Sequence, residues 1–380
     1  MDSSVYILYT GGTLGMAPNN PHDPCSPLVP QPLQVLFAQL PDLTNTSSSG
    51  SETLGLTLNN GNRITLSCAS IKPIDSADMT PDHWLIIAQH IAAVYDDYDG
   101  FVILHGTDTM AYTSSALSFL LEHLAKPVVI TGSQQPISVP GTDAIANITH
   151  ALHIAGYQAS GLPLIPEVMI VFADKILRGC RATKVSTTTQ SAFDSPKYPL
   201  LGTIGESVIV HTAMIRSVPN NPPLFMHPSM APNVGYVMVY PGCVTTSLRH
   251  LMLSPDYTGI VLSTYGTGTV PNHADFLTLI EHSIRGDTWV DGQIQPNSLP
   301  NGRILVNISQ CNQGTVQMGL YASSQTLLER GVLSGADMTP EAALTKLMWA
   351  LGTEPTSNHT HLMLTNQRGE QTDTLEKGDP

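Results

Sequence analysis

Short runs of β-branched, aliphatic and aromatic residues alternate along the first half of the chain with segments of helical periodicity. The runs are residues 5–9, 101–105, 128–131 and 168–172, and the first three lead into Gly and Thr. Strands of this length separated by helical patterns predict βαβ units and a mostly parallel sheet. Between the first two runs, Thr80-Pro81-Asp82 supplies an N-cap, an N1 proline and a first-turn acid. The helix they open has the apolar stripe Trp84, Ile87, Ala88, Ile91 and Val94. A second helix is expected after Asp108, with Leu117, Leu120, Leu121 and Leu124 on one face.

A further set of strands is predicted at 235–240, 259–264 and 303–309. It closes with a helix opened by Thr339-Pro340-Glu341, striped by Leu344, Leu347, Met348 and Leu351, and stopped at Gly352. The two sets are separated by 217–233, which holds five prolines and three asparagines and so excludes a helix or a central strand. The expected organisation is α/β. A larger N-terminal domain, 1–216, has a doubly wound, mostly parallel sheet with flanking helices. A linker spans 217–233, and a smaller α/β domain occupies 234–380. Residues 45–62 and 287–302, rich in turn formers, read as surface loops or small hairpins, and 371–380 as a frayed polar tail.

Composition narrows the function. Of 380 residues, 42% are hydrophobic and 12% charged, which suits a packed globular chain. Thirty acidic residues against sixteen basic ones give a net charge of −14, which repels phosphate backbones and anionic headgroups. Nucleic-acid and membrane partners are therefore not expected. The five cysteines form no C-x-x-C pair, and with no basic n-region or long apolar run near Met1 the expectation is a reduced, cytoplasmic protein.

In a doubly wound sheet, ligands bind beyond the carboxyl ends of the strands. The first strand is followed by Thr10-Gly11-Gly12-Thr13-Leu14-Gly15, the next by Gly106-Thr107-Asp108-Thr109, and the third ends in Thr131-Gly132-Ser133-Gln134. Three strand ends thus present glycine with a hydroxyl, where backbone N–H groups and side-chain oxygens can face a small ligand. Neither G-x-G-x-x-G nor G-x-x-x-x-G-K-[ST] occurs, which argues against a nucleotide phosphate. No metal is expected: H-E-x-x-H is missing, and His150 and His153 read as solvent-face residues. G-x-S-x-G is missing too, so a threonine nucleophile would draw on a lysine or tyrosine as base. Lys184 is a candidate whose type alone reads as exposed, and Asp108 equally suits helix capping.

The stretches 9–16 (Tyr-Thr-Gly-Gly-Thr-Leu-Gly-Met), 75–81, 95–112, 130–133 and 183–184 resemble the bacterial-type L-asparaginases, most closely the cytoplasmic type I group. Residues 265–268, 310–311, 335–339 and 344–346 extend the resemblance over nearly the whole chain. The resemblance implies hydrolysis of L-asparagine to L-aspartate and ammonia without cofactor or metal, by a homodimer or homotetramer. It makes Thr13 the nucleophile and Thr107, Asp108 and Lys184 the second catalytic cluster. It has Gly12, Asp75, Ser76, Ala77, Thr107, Asp108 and Ser133 contact the substrate, with Ser76 holding its α-carboxylate and Asp108 taking its α-ammonium. Ser133 stands where the family presents a backbone carbonyl to the amide. The family's lid tyrosine has no counterpart between residues 19 and 30, where Ser26 falls near its place. A glutaminase, another side-chain amide hydrolase, or an amino-acid-binding protein with impaired turnover are the alternatives this leaves.

Overall fold

The computed structural model describes residues 1–20, 23, 26–40, 43–48, 51–217, 222–353 and 358–372. It divides into two compact units, Met1–His227 and Pro228–Pro380.

The first unit is built on a ten-stranded sheet whose five central strands are Ser3–Gly11, Arg63–Ile74, Gly100–Leu104, Val128–Thr131 and Val168–Phe172. Adjacent pairs among these five run parallel. Both ends of the sheet are antiparallel, with Ser51–Thr57 and Leu43–Ser48 at one end and Lys175–Arg178, Gly202–Ile204 and Val208–Val210 at the other. The mostly parallel expectation thus holds for the centre and fails at the rims, where short turns join every antiparallel pair except Lys175–Arg178 with Gly202–Ile204, which are linked by residues 179–201.

Four of the five central strands are nearly continuous in apolar residues because both faces are covered, whereas burial alternates along Arg63–Ile74. Val5, Ile7, Tyr9, Val102, Leu104 and Val129 face one apolar layer, where Ala144, Ile148, Ala151 and Leu152 pack from the helix Ala144–Ala155. The helix Pro81–Ala93 follows its Thr80 capping box and buries Trp84, Ile87, Ala88 and Ile91, as the stripe predicts. The next helix, Met110–Leu120, is buried on nearly every side and stops before Leu124. Leu121–Glu122 instead pairs with Phe225–Met226, and His227 N donates to the Leu120 carbonyl at 2.9 Å. The proline-rich stretch expected as a linker therefore gives its residues 225–227 to the first unit; a two-residue rim strand tolerates nearby prolines where a central one does not.

The second unit has a four-stranded parallel sheet in chain order, Val234–Met238, Gly259–Thr264, Ile304–Ser309 and Leu333–Ser334. Thr339 caps the helix Pro340–Leu351 by accepting from Ala342 N. Within that helix Lys346 is fully buried and pairs with Glu370 at 2.5 Å. That contact and a bond from Gln371 to the Leu364 carbonyl hold down the start of the expected tail; Thr372 likewise donates to Asp337. Residues 373–380 lie outside the described chain. The segments 45–62 and 287–302 do form hairpins, Leu43–Ser48 with Ser51–Thr57 and Thr288–Val290 with Gln293–Gln295.

Candidate active site

Numbered along the chain, the five parallel strands lie in the spatial order 2-1-3-4-5. The winding direction reverses between the first strand and the third, so a crevice opens beyond their carboxyl ends. The two loops that border it are 12–15 and 105–109, the Gly-Thr segments singled out above.

These loops touch. Gly12 has φ +95°, and a β-carbon added to it would fall 2.3 Å from the Gly106 nitrogen. One added to Gly106 would fall 2.4 Å from Ser76 Oγ. Only glycine fits at either position, and their contact brings Gly12, Gly106 and Ser76 to one point. Thr13 opens a short 3-10 turn, half-buried, and its hydroxyl bonds to no described residue. Asp75 caps the next turn by accepting from Ala77 N at 3.0 Å, so the Ala77 amide is already engaged. Thr109 Oγ1 donates to the Ser76 carbonyl at 2.8 Å and fixes that turn against the third strand's loop.

Lys184 reaches this edge from a different part of the sequence. Its Nζ donates to Thr107 Oγ1 at 2.8 Å and to Asp108 Oδ1 at 2.7 Å. Its side chain is 18% exposed, against the exposed position that its residue type suggests. Thr107 is buried, whereas the Asp108 side chain is 65% exposed and opens to solvent. An ion pair this wet contributes only about 0–1 kcal/mol to stability, so positioning explains it better. Beside it, Lys184, Val185, Ser186, Thr187 and Thr188 line a cavity of about 400 Å³. Ser133 is buried at the end of the fourth strand, next to the third, where Leu104 pairs with Thr131.

Beneath the crevice runs a polar chain that periodicity could not show. Trp84 Nε1 donates to Thr113 Oγ1 at 3.0 Å, Thr113 lies 3.0 Å from His105 Nε2, and His105 Nδ1 lies 2.7 Å from the Gly106 carbonyl. A carbonyl only accepts, so Nδ1 carries the proton and Nε2 accepts from Thr113. Burial pushes His105 down to about 4, consistent with that neutral tautomer. Trp84 and Thr113 read in sequence as core and helix positions, because their pairing depends on helix packing.

Other expectations are placed less centrally. Ser26 Oγ accepts from Asn20 N at 2.9 Å inside the hairpin of Met16–Pro18 and Leu28–Pro30, where it serves the turn. His150 and His153 form no metal group; among the described residues no cluster of three or more His, Cys, Asp or Glu side chains could hold an ion. No described helix is long and apolar enough to cross a membrane. A larger apolar groove of about 910 Å³, lined by Pro30, Leu33, Phe37, Leu66 and Cys68 among others, contains none of the expected site residues.

Comparison with known proteins gives the family. Residues 4–216 match the family model "Asparaginase, N-terminal", and 233–363 match "Glutaminase/Asparaginase C-terminal domain". The chain belongs to the asparaginase family. It is 37% identical to L-asparaginase 1 of Escherichia coli over 97% of this chain and 98% of that protein. Among solved structures, L-asparaginase I of Vibrio cholerae superposes with a TM-score of 0.78 at 34% identity, covering 98% of this chain and all of that one. The thermostable L-asparaginase of Thermococcus kodakarensis gives 0.80 at 30% identity with the same coverage. The family models thus cover both the loops that border the crevice and the strands of the second unit.

Proposed function

We propose that this asparaginase-family chain is an L-asparagine amidohydrolase that releases L-aspartate and ammonia by threonine nucleophile chemistry. The observation that carries the reading is Lys184 bridging Thr107 and Asp108 at the crevice where the Gly12 and Gly106 loops meet.

Because Lys184 donates to Thr107 Oγ1, the threonine's own hydrogen is free to point into the crevice. In this reading Thr13 Oγ1 attacks the side-chain amide carbon, and N–H groups of the two glycine loops receive the developing oxyanion. Such a donor contributes about 3–4 kcal/mol where single ones have been removed. Thr107, held by Lys184, passes the proton that Thr13 loses on to the nitrogen, which leaves as ammonia as the C–N bond breaks; water then hydrolyses the acyl ester, its hydroxyl going to aspartate and its proton back to Thr13. The Ser76 hydroxyl takes the α-carboxylate and Asp108 the α-ammonium, while Asp75 holds the Ser76 turn by accepting from Ala77 N. The Ser133 carbonyl accepts from the amide. A zwitterionic amino acid needs this combination of one anion and a patch of donors.

The test is ammonia release from L-asparagine and L-glutamine, with Lys184→Ala beside the wild type. Loss of the bridge should lower kcat by roughly 10²–10³-fold with the fold intact. Full activity in the variant overturns the assignment; preference for glutamine makes the enzyme a glutaminase, and asparagine binding without turnover makes it a binder. Cytoplasmic residence and assembly as a homodimer or homotetramer belong to the same proposal, and sedimentation of the purified chain tests the latter.

A further inference from the structure

The helix Ala144–Ala155 begins after Asp143, whose side chain is buried and makes no capping bond to its own helix. Its carboxylate reaches back across the turn that follows the fourth strand. Oδ2 accepts from Gln134 N at 2.9 Å, and Oδ1 accepts from Gln134 N at 3.1 Å and Gln135 N at 3.2 Å. One helical turn on, buried Asn147 donates through Nδ2 to the Gly132 carbonyl at 2.9 Å and to Asp143 at 3.2 Å. Its Oδ1 accepts from Ala173 N at 2.9 Å, which anchors it to the end of the fifth strand. The peptide groups on both sides of Ser133 are therefore pinned.

In a trans peptide the C=O of one residue and the N–H of the next point in opposite directions. With Gln134 N–H drawn onto Asp143, the Ser133 carbonyl is turned away from it. No described group donates to that carbonyl, although Ser133 is 1% exposed. Buried backbone acceptors are almost always paired, so an acceptor left open beside the crevice is one kept for a ligand. Gly132 sets the location, since a β-carbon there would fall 2.2 Å from the His105 carbonyl oxygen, against the strand end that carries Thr107.

We propose that Asp143 is a positioning residue that aims the Ser133 carbonyl at the leaving nitrogen of the substrate amide. This rests on the amidohydrolase reading above. As the C–N bond breaks, the nitrogen gains a proton and leaves as ammonia, so its hydrogen bond to a fixed carbonyl strengthens towards the transition state. Such a contact acts on kcat more than on KM. An ester of the same amino acid has no N–H on its leaving group and makes no use of that carbonyl.

The experiment compares L-asparagine with L-aspartate β-methyl ester in the wild type and in Asp143→Asn, which keeps the shape and replaces one acceptor by a donor. For the amide, kcat should fall by roughly 10–100-fold with KM within about threefold, while ester hydrolysis stays within about threefold. Where Asp143→Asn yields no folded protein, the amide-to-ester ratio is read in Asp143→Glu, whose longer arm keeps the acceptor and displaces the turn. Equal losses on both substrates, or an unchanged rate on the amide, overturn the positioning role. Absence of ammonia release by the wild type overturns the function on which it rests, and that is read independently of the ratio.

Discussion

His105 is fully buried as the middle member of the Trp84, Thr113 and Gly106 chain, and its proton inventory makes a pH-dependent contribution to stability. In the folded chain burial holds it down to about 4, while in the unfolded chain it returns to its ordinary 6.5. Between those values the unfolded chain binds a proton that the folded chain refuses, so unfolding gains as pH falls. The contribution is complete above about pH 6.5 and lost on acidification towards pH 4. A difference of this size at about 1.36 kcal/mol per pH unit is on the order of 3 kcal/mol. For a unit of this length that is on the order of 10 °C in Tm. His105→Asn keeps a donor near the Gly106 carbonyl and is neutral at every pH. It should be less stable than wild type at pH 7 and lose less on acidification. Thermal melts of both proteins at half-unit steps from pH 7 to 4 measure the difference, which cancels contributions from His150 and His153, also held down by burial. Parallel curves would refute the neutral buried histidine and the tautomer derived from its neighbours.

Two further substitutions probe the framework. Gly12→Ala places a methyl 2.3 Å from the Gly106 nitrogen at φ +95°, so the loops must part; kcat should fall by about 10²-fold or more, and an ordinary rate in the folded variant would show that loop contact is dispensable. Lys346→Met leaves the fully buried Glu370 without its cation, which should cost about 3–5 kcal/mol in a denaturant titration and expose the segment around Gln371 to protease; a loss below about 1 kcal/mol would contradict it.

The sequence by itself determined the apolar central strands and the capped helices, since their periods and caps reflect local burial and local hydrogen bonding, but not the strand Arg63–Ile74, whose alternating polar residues carry no such run, nor the helices Ala144–Ala155 and Ala274–Arg285. The stripe from Trp84 to Ile91 and the Thr339 cap were legible for that reason, as were the hydroxyl-bearing strand ends at Thr13, Thr107 and Ser133. The rims of the sheet were not, because antiparallel pairing there follows from where the chain folds back, across short turns and, for Lys175–Arg178 with Gly202–Ile204, across residues 179–201. Nor was the end of the helix before Leu124: its apolar face continues in sequence, but Leu121 is claimed by Phe225–Met226 from a distant segment. Only tertiary structure decided the strand order that sets the first strand beside the third, and with it where the crevice opens. It also carried Lys184 to Thr107, 77 residues away, set Asp143 as a clamp on Gln134, and stripped His105 of water. Residue type and spacing encode what a side chain offers; its partner and its solvation, which fix its chemistry, exist only once the strands are packed.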